Sequence, residues 1–293
     1  VLARGDFGVT ALWRDRTGAF SWLRTAALAA AVLPALWLIE RTLTHDLGSR
    51  PINEALHFTG TWTIRFLIAT LAVTPLRVFG KWPKLIGIRR YLGLTTFAYA
   101  VLHFSLFVVD QHFNLIRVGT EIALRIYLLI GFTTLVSLCI LAATSTDASI
   151  KRLGAEKWTK LHKLIFFLTP LAVIHAFLQS KIDVTDATII ASFAVLLISL
   201  RLLKRYGNAE NPLAVAGVAV GVALATALIE AAWFALLTGV DPRLVLEADL
   251  DITMLRPCWY ALGAGLLITL IAVIRRNSRG KARQRQPMRV RTA

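Results

Sequence analysis

The sequence predicts an all-α polytopic membrane protein, a transmembrane helix bundle of about eight spans. Three observations predict it. Of 293 residues, 56% are hydrophobic and only 17% charged, with a positive mean hydropathy, a composition foreign to soluble globular domains. Eight apolar stretches are long enough, or nearly so, to cross roughly 30 Å of hydrocarbon. The Lys and Arg residues alternate between rich and poor in the segments that join them.

The stretches fall at 20–39, 58–76, 91–112, 121–143, 161–179, 186–203, 212–238 and 256–274. No small-residue cleavage pattern follows the first, so it reads as a retained crossing rather than a signal peptide. The second contains Arg65 a few residues inside its outer boundary, where a charge calls for a partner. A haem propionate and snorkelling to the surface are both open to it. The third opens with Arg89 and Arg90 and contains His103. The fourth contains Cys139. The fifth begins at Leu161 and His162, ends beyond His175, and has Pro170 between the two histidines, where a kink is expected. The sixth is the shortest. Gly207, Asn208 and Pro212 make a loop before the seventh, which places Glu230 near mid-span. That carboxyl can be a proton or quinone-site group, or a buried protonated acid bonded to a neighbour. The eighth starts near Cys258.

Eight spans put both termini on one side. Segments 1–24, 77–90, 144–160, 201–211 and 275–293 carry 24 Lys and Arg, against 7 in 40–57, 110–125, 180–186 and 239–256. The positive-inside rule therefore assigns both termini to the cytoplasm, and a seven-span chain would break the alternation. The net charge of +16 is concentrated in the tail 275–293, which has eight basic residues and no apolar face. It reads as a disordered cytoplasmic anchor on anionic lipid headgroups, so no nucleic acid is needed to explain the charge. The two cysteines fall near opposite membrane faces, which argues against a disulfide. No dinucleotide fingerprint, phosphate loop or long polar segment is present, so reducing equivalents come from a separate partner or a membrane-soluble donor.

Three histidines carry the chemistry. A membrane interior holds few polar groups without a role, and neutral imidazole is a common iron ligand. The third and fifth spans are separated by one span and so run parallel. His103 lies 12 residues past Tyr91 and His175 lies 14 past Leu161, about 18 and 21 Å along their helices. The two are level in the outer half of the membrane, as two histidines sharing one haem must be. His162 sits roughly 20 Å below His175 and about 140° around an ideal helix from it, so it cannot share that haem. Fourteen residues before His103, where a second ligand would share its face, stands Arg89; an arginine does not ligate iron but can pair with a propionate or a flavin phosphate. His45, His57 and His112 lie at the outer surface as interfacial residues, with His57 held in reserve.

The segments DLGSRPINEALHFTGTWTIRFLIATLAVTPLR, RRYLGLTTFAYAVLHFSLFVVDQ and LGAEKWTKLHKLIFFLTPLAVIHAFLQSKID resemble the MsrQ (YedZ) family. These are haem-binding membrane subunits of the bacterial periplasmic methionine-sulfoxide reductase system, within the ferric-reductase-like transmembrane group. The resemblance covers roughly residues 10–206. It implies a six-span haem-binding core, 20–206, after a cytoplasmic segment 1–19; residues 207–293 lie outside it and divide, by hydropathy and charge, into an additional two-helix extension 207–274 and the tail 275–293. It further implies b-type haem on His103, His175 and His162, with one haem at the outer pair and a second haem or flavin mononucleotide (FMN) near His162. Related reductases have two histidines in the third span; here Arg89 replaces the inner one. Electrons would come from the quinone pool or a cytoplasmic flavin reductase. They would go to a periplasmic molybdopterin-containing reductase of methionine sulfoxide, making the chain an electron-transfer subunit of the bacterial inner membrane. Two other classes compete. One is a haem-free transporter or scaffold, though no internal repeat is seen. The other is the membrane domain of a ferric or superoxide-type reductase, though the attached nucleotide-binding domain such an enzyme uses is missing from the sequence.

Overall fold

The computed structural model describes residues 13–14, 19–180, 183–209, 211–251 and 253–284, with side chains described as far as residue 274. Among these residues the chain forms twelve α-helices, and eight helical segments are long and apolar enough to cross a membrane. They correspond one for one to the eight expected spans. Many of their large apolar side chains are exposed, among them Leu33, Phe167 and Leu228. A water-soluble fold would hide such residues; a helix facing lipid has no reason to.

Two compact units result. The first comprises residues up to 70 and 85–181. It contains α1 (Trp22–Leu43), most of α2 (Pro51–Phe79), α3 (Arg89–Asp110, entered through a 3₁₀ turn, Pro83–Ile88), α4 (Leu115–Leu124), α5 (Ile126–Ala143), α6 (Asp147–Leu153), α7 (Ala155–His162) and α8 (Ile165–Gln179). α3 packs on α1 and α5, and α5 packs on α8. The Tyr99 hydroxyl of α3 donates to the Ala31 carbonyl of α1 at 2.8 Å.

Two spans differ from expectation. The fourth was expected to start at 121, but residues 115–124 form a separate amphipathic helix. Asn114 caps it by accepting from the Arg117 N–H, and Glu121 pairs with Arg125 across its last turn at 2.6 Å. Arg125 then leaves helical geometry (φ −115°, ψ 110°), and the crossing begins at Ile126. Three charged positions within nine residues suit an interface better than hydrocarbon. The fifth span is divided at Lys163–Leu164 rather than merely kinked at Pro170. There the backbone N–H groups of Lys163, Leu164, Phe166 and Phe167 each donate to the carbonyl three residues back. Pro170 lies within α8 and withholds an N–H only from the carbonyl of residue 166, so the tightened turn is separate from it.

The second unit comprises residues 71–84 and 182 onward. It holds the end of α2 with α9 (Thr185–Arg205), α10 (Pro212–Thr238), α11 (Pro242–Leu250) and α12 (Pro257–Gln284). The expected join at 206–207 therefore lies inside a compact unit, with the sixth span packed against the seventh and eighth. Phe79, Leu196, Leu200, Val215, Val222, Ala261 and Ile268 form its core. A Cβ on Gly265 would overlap the Cβ of Ala219, the close approach that small residues permit between membrane helices. Arg201 donates to the Leu71 carbonyl at 2.5 Å, tying α9 to the end of α2. α10 starts with Asn211 capping and Pro212 in its first turn, and ends at Gly239 in the left-handed region (φ 70°), a start and stop written in residue types.

The tail expected to lose structure at 275 stays helical to Gln284. Residues 285–293 of that tail, like most of segment 1–19, lie outside the described residues.

Candidate functional site

His103 and His175 come together. Their ring centroids lie 6.4 Å apart with planes crossed at 80°. His103 Nδ1 is 2.9 Å from the Leu56 carbonyl oxygen on α2, and His175 Nδ1 is 2.8 Å from the Tyr127 carbonyl oxygen on α5. A carbonyl can only accept, so each Nδ1 carries the proton and donates. That choice of tautomer leaves the lone pair on Nε2 of both rings. Each histidine is thus a neutral imidazole oriented from behind by a backbone carbonyl, the arrangement that supports metal-ligating histidines.

The register follows from the helices. Leu56 lies near the start of α2, which begins at Pro51, and Tyr127 is the second residue of α5. Both are therefore at the end of the bundle where α4 lies, and His103 and His175 meet there because each is deep in a helix running toward that end. Each ring also lies against a glycine of the same supporting helix. A Cβ on Gly60 would come within 3.0 Å of His103, and one on Gly131 within 2.8 Å of His175.

The fit to a haem can be judged from these distances. Two imidazoles that reach one metal from opposite sides through bonds of about 2 Å place their ring centres roughly 6–6.5 Å apart. The observed separation, the two supported Nδ1–H groups and the apolar helices around them suit an iron held between His103 and His175.

His162 is elsewhere. It ends α7, its ring stacks on Trp158 at 3.9 Å between centroids, and its Nδ1 lies 3.1 Å from the Trp158 carbonyl. Its Nε2 faces the Ser145 hydroxyl at 3.4 Å, and Trp158 is itself anchored by donating to the Thr144 carbonyl at 2.9 Å. Arg89, at the start of α3, is close enough for its charge to act on His162. Arg65 is exposed on α2, with its guanidinium 5.2 Å from the centroid of Trp62; it is five residues from Gly60, about 140° around the helix. His45, His57 and His112 are exposed.

Sequence reasoning missed the four residues that seat the imidazoles: Leu56, Gly60, Tyr127 and Gly131. Backbone carbonyls carry no residue-type signal. The only trace is that each glycine sits four residues after its carbonyl, within an apolar helix.

A second polar group lies in the other unit. Glu230, 1% exposed, accepts from Arg256 Nη2 at 2.7 Å, and Asp249, 4% exposed, accepts from Arg256 Nε at 3.3 Å. Trp259 donates to the Asp249 backbone carbonyl at 2.8 Å. Glu230 Oε2 and Asp249 Oδ2 are buried without a partner. Burial pushes the Asp249 carboxyl above the ordinary carboxylate range, while Arg256 pulls it back. The sequence singled out Glu230 but not its partners, Asp249 and Arg256, which lie 19 and 26 residues further along the chain.

Residues 59–173 match the family described as ferric reductase like transmembrane component, a stretch that includes Gly60, Arg65, His103, Gly131 and His162 and stops two residues before His175. The chain is 37% identical over 183 residues to the protein-methionine-sulfoxide reductase heme-binding subunit MsrQ of Polaromonas naphthalenivorans (strain CJ2), covering 61% of this chain and 84% of that relative. No solved structure matches the chain.

Proposed function

The chain belongs to the MsrQ family, and from that membership and the geometry of the histidine pair we propose that it is a membrane electron carrier with one b-type haem between His103 and His175. The single observation that carries the reading is the pair itself: two Nδ1-protonated imidazoles, 6.4 Å apart, each fixed by a backbone carbonyl.

A haem held by His103 and His175 would supply a one-electron couple. The residues of the chain do the rest. The Leu56 and Tyr127 carbonyls hold the proton on each Nδ1, which fixes the tautomer and raises the basicity of Nε2. The supporting carbonyls lie near the α4 end of the bundle, which the Lys and Arg distribution assigns to the outer side of a bacterial inner membrane, with both termini cytoplasmic. Electrons would therefore leave toward a periplasmic partner across a short distance.

In this reading the partner is a molybdopterin-containing reductase of methionine sulfoxide, and the donor is the quinone pool or a cytoplasmic flavin reductase. Arg89 and His162, near the opposite end of the bundle, are the residues offered to FMN or to a second haem. Trp158 and Ser145 already occupy both sides of His162, which favours one haem per chain. Arg65, over Trp62, is better suited to snorkelling than to a propionate of the outer haem.

The reading is tested by reducing the purified protein, removing excess reductant, and adding the oxidised partner reductase with methionine sulfoxide. Reoxidation of the reduced haem band in step with methionine formation is expected. A reduced protein that stays reduced in the presence of both would overturn the electron-carrier role.

A further inference from the structure

Gly60 and Gly131 stand in equivalent places on two different helices. In an α-helix the carbonyl of residue i receives the N–H of residue i+4, and the Cβ of residue i+4 tilts back toward the N-terminus, over that carbonyl. Leu56 and Gly60 are such a pair, and so are Tyr127 and Gly131. Without a Cβ at position i+4, the carbonyl stays open to a second donor from a neighbouring helix. That donor is Nδ1–H of His103 in one case and of His175 in the other.

The contacts are specific to the rings. A Cβ on Gly60 would meet Cε1 and Nδ1 of His103 at 3.0 and 3.1 Å, and one on Gly131 would meet Cε1, Nδ1 and Nε2 of His175 at 2.8, 2.9 and 3.2 Å. Neither glycine is at positive φ, so the backbone does not demand it. A glycine in mid-helix otherwise weakens the helix. The space each leaves is filled by an imidazole.

We propose that Gly60 and Gly131 are positioning residues that keep the Leu56 and Tyr127 carbonyls open to the histidines and hold the two imidazole planes crossed. This rests on ligation of haem by His103 and His175. Crossed axial imidazoles give ferric haem a strongly anisotropic low-spin EPR signal, whereas parallel planes give a less anisotropic one. The ring angle, and not merely the presence of haem, is therefore readable.

The test compares wild type with Gly60→Ala, Gly131→Ala, Gly265→Ala and Gly217→Ala. Gly265 abuts Ala219, away from any histidine, and controls for helix packing; a Cβ on Gly217 meets nothing. Haem per folded chain, ferric EPR and midpoint potential are measured on each. Gly131→Ala should retain haem about 10–100-fold more weakly, the scale seen when groups supporting a metal ligand are lost. Gly60→Ala, the milder clash, should keep haem but show a less anisotropic signal and a shifted potential. Both controls should match wild type in EPR and potential. Coloured wild type with unchanged haem, EPR and potential in both Gly60→Ala and Gly131→Ala would overturn the positioning role alone. The same spectral change in Gly265→Ala would also overturn it, by showing a general response to loosened packing. A folded but colourless wild type would remove the ligation reading, and this inference with it.

Discussion

The histidine pair of the first unit and the Glu230–Arg256–Asp249 group of the second are both polar side chains set among apolar helices, and they meet the cost of burial differently. The histidines are neutral. Each gives its proton to a backbone carbonyl, which leaves the ring's lone pair on Nε2. The acidic residues are ionisable, and one guanidinium answers two carboxyls, leaving an oxygen of each without a partner. The first arrangement presents two nitrogen lone pairs of the kind a metal ion accepts. The second is close to complete in itself, because a single proton shared among the carboxyls balances its charge. Burial alone does not mark a ligand site; what marks it is the kind of valence left over.

The largest effect tests the left-over lone pairs. Replacing His103 or His175 with Ala should abolish the Soret band, measured per folded chain, whereas His162→Ala should leave it. Full haem loading in His175→Ala would break the distinction outright.

The next test concerns the charged group. Glu230→Ala leaves Arg256 paired with Asp249 alone, removes one charge-assisted hydrogen bond, and should destabilise the protein by about 2 kcal/mol. It is read as a lowered midpoint of thermal unfolding in detergent, with haem content of the surviving folded fraction unchanged. Haem loss without loss of stability would show that Glu230 serves the cofactor.

A smaller effect is a pH dependence. Asp249 is held above its ordinary range of 3.8, chiefly by burial, so the folded state binds its proton more tightly than the unfolded chain does. Its contribution to stability is therefore greatest at low pH and declines as pH rises past the ordinary carboxylate value. Asp249→Asn should flatten that part of the profile of unfolding midpoint against pH. Asp251, held low by the Thr253 hydroxyl and N–H, acts with the opposite sign and should remain in the Asn variant.

The smallest effect comes from a charge pair that is not buried. Lys160 and Glu156, 2.8 Å apart and both largely exposed, should lose only about 0.3–0.5 kcal/mol on Lys160→Ala, with no change in the optical spectrum. A large spectral change would mean that the α7 end of the chain takes part in cofactor binding after all.

Much of the fold was legible because hydrocarbon imposes a simple length rule, and all eight crossings obey it. The pairing of His103 with His175 was legible by counting residues along two parallel spans. The α4–α5 break was not, because Leu124, Ile126 and their apolar neighbours read as one stretch, and only Arg125 in an extended conformation divides it. Pro170 signalled a distortion of the fifth span, but the tightened turn lies at 163–167, ahead of the carbonyl that the proline leaves without its N–H. Gly60 and Gly131 were hidden for a different reason: with 18 glycines in the chain, nothing marks these two until the carbonyl four residues earlier is seen to accept from an imidazole. Asp249 and Arg256 were obscured because they lie in the segment joining the last two expected spans, and only α11 folds Asp249 into the interior.

The most direct measurement is a dithionite-reduced minus oxidised spectrum of the purified protein with pyridine haemochrome quantification per chain. Reduced b-type bands at one haem per chain, lost in His103→Ala and His175→Ala, are the expected result. A well-folded preparation that stays colourless after haem supplementation during expression would contradict ligation by this pair and return the transporter or scaffold to first place.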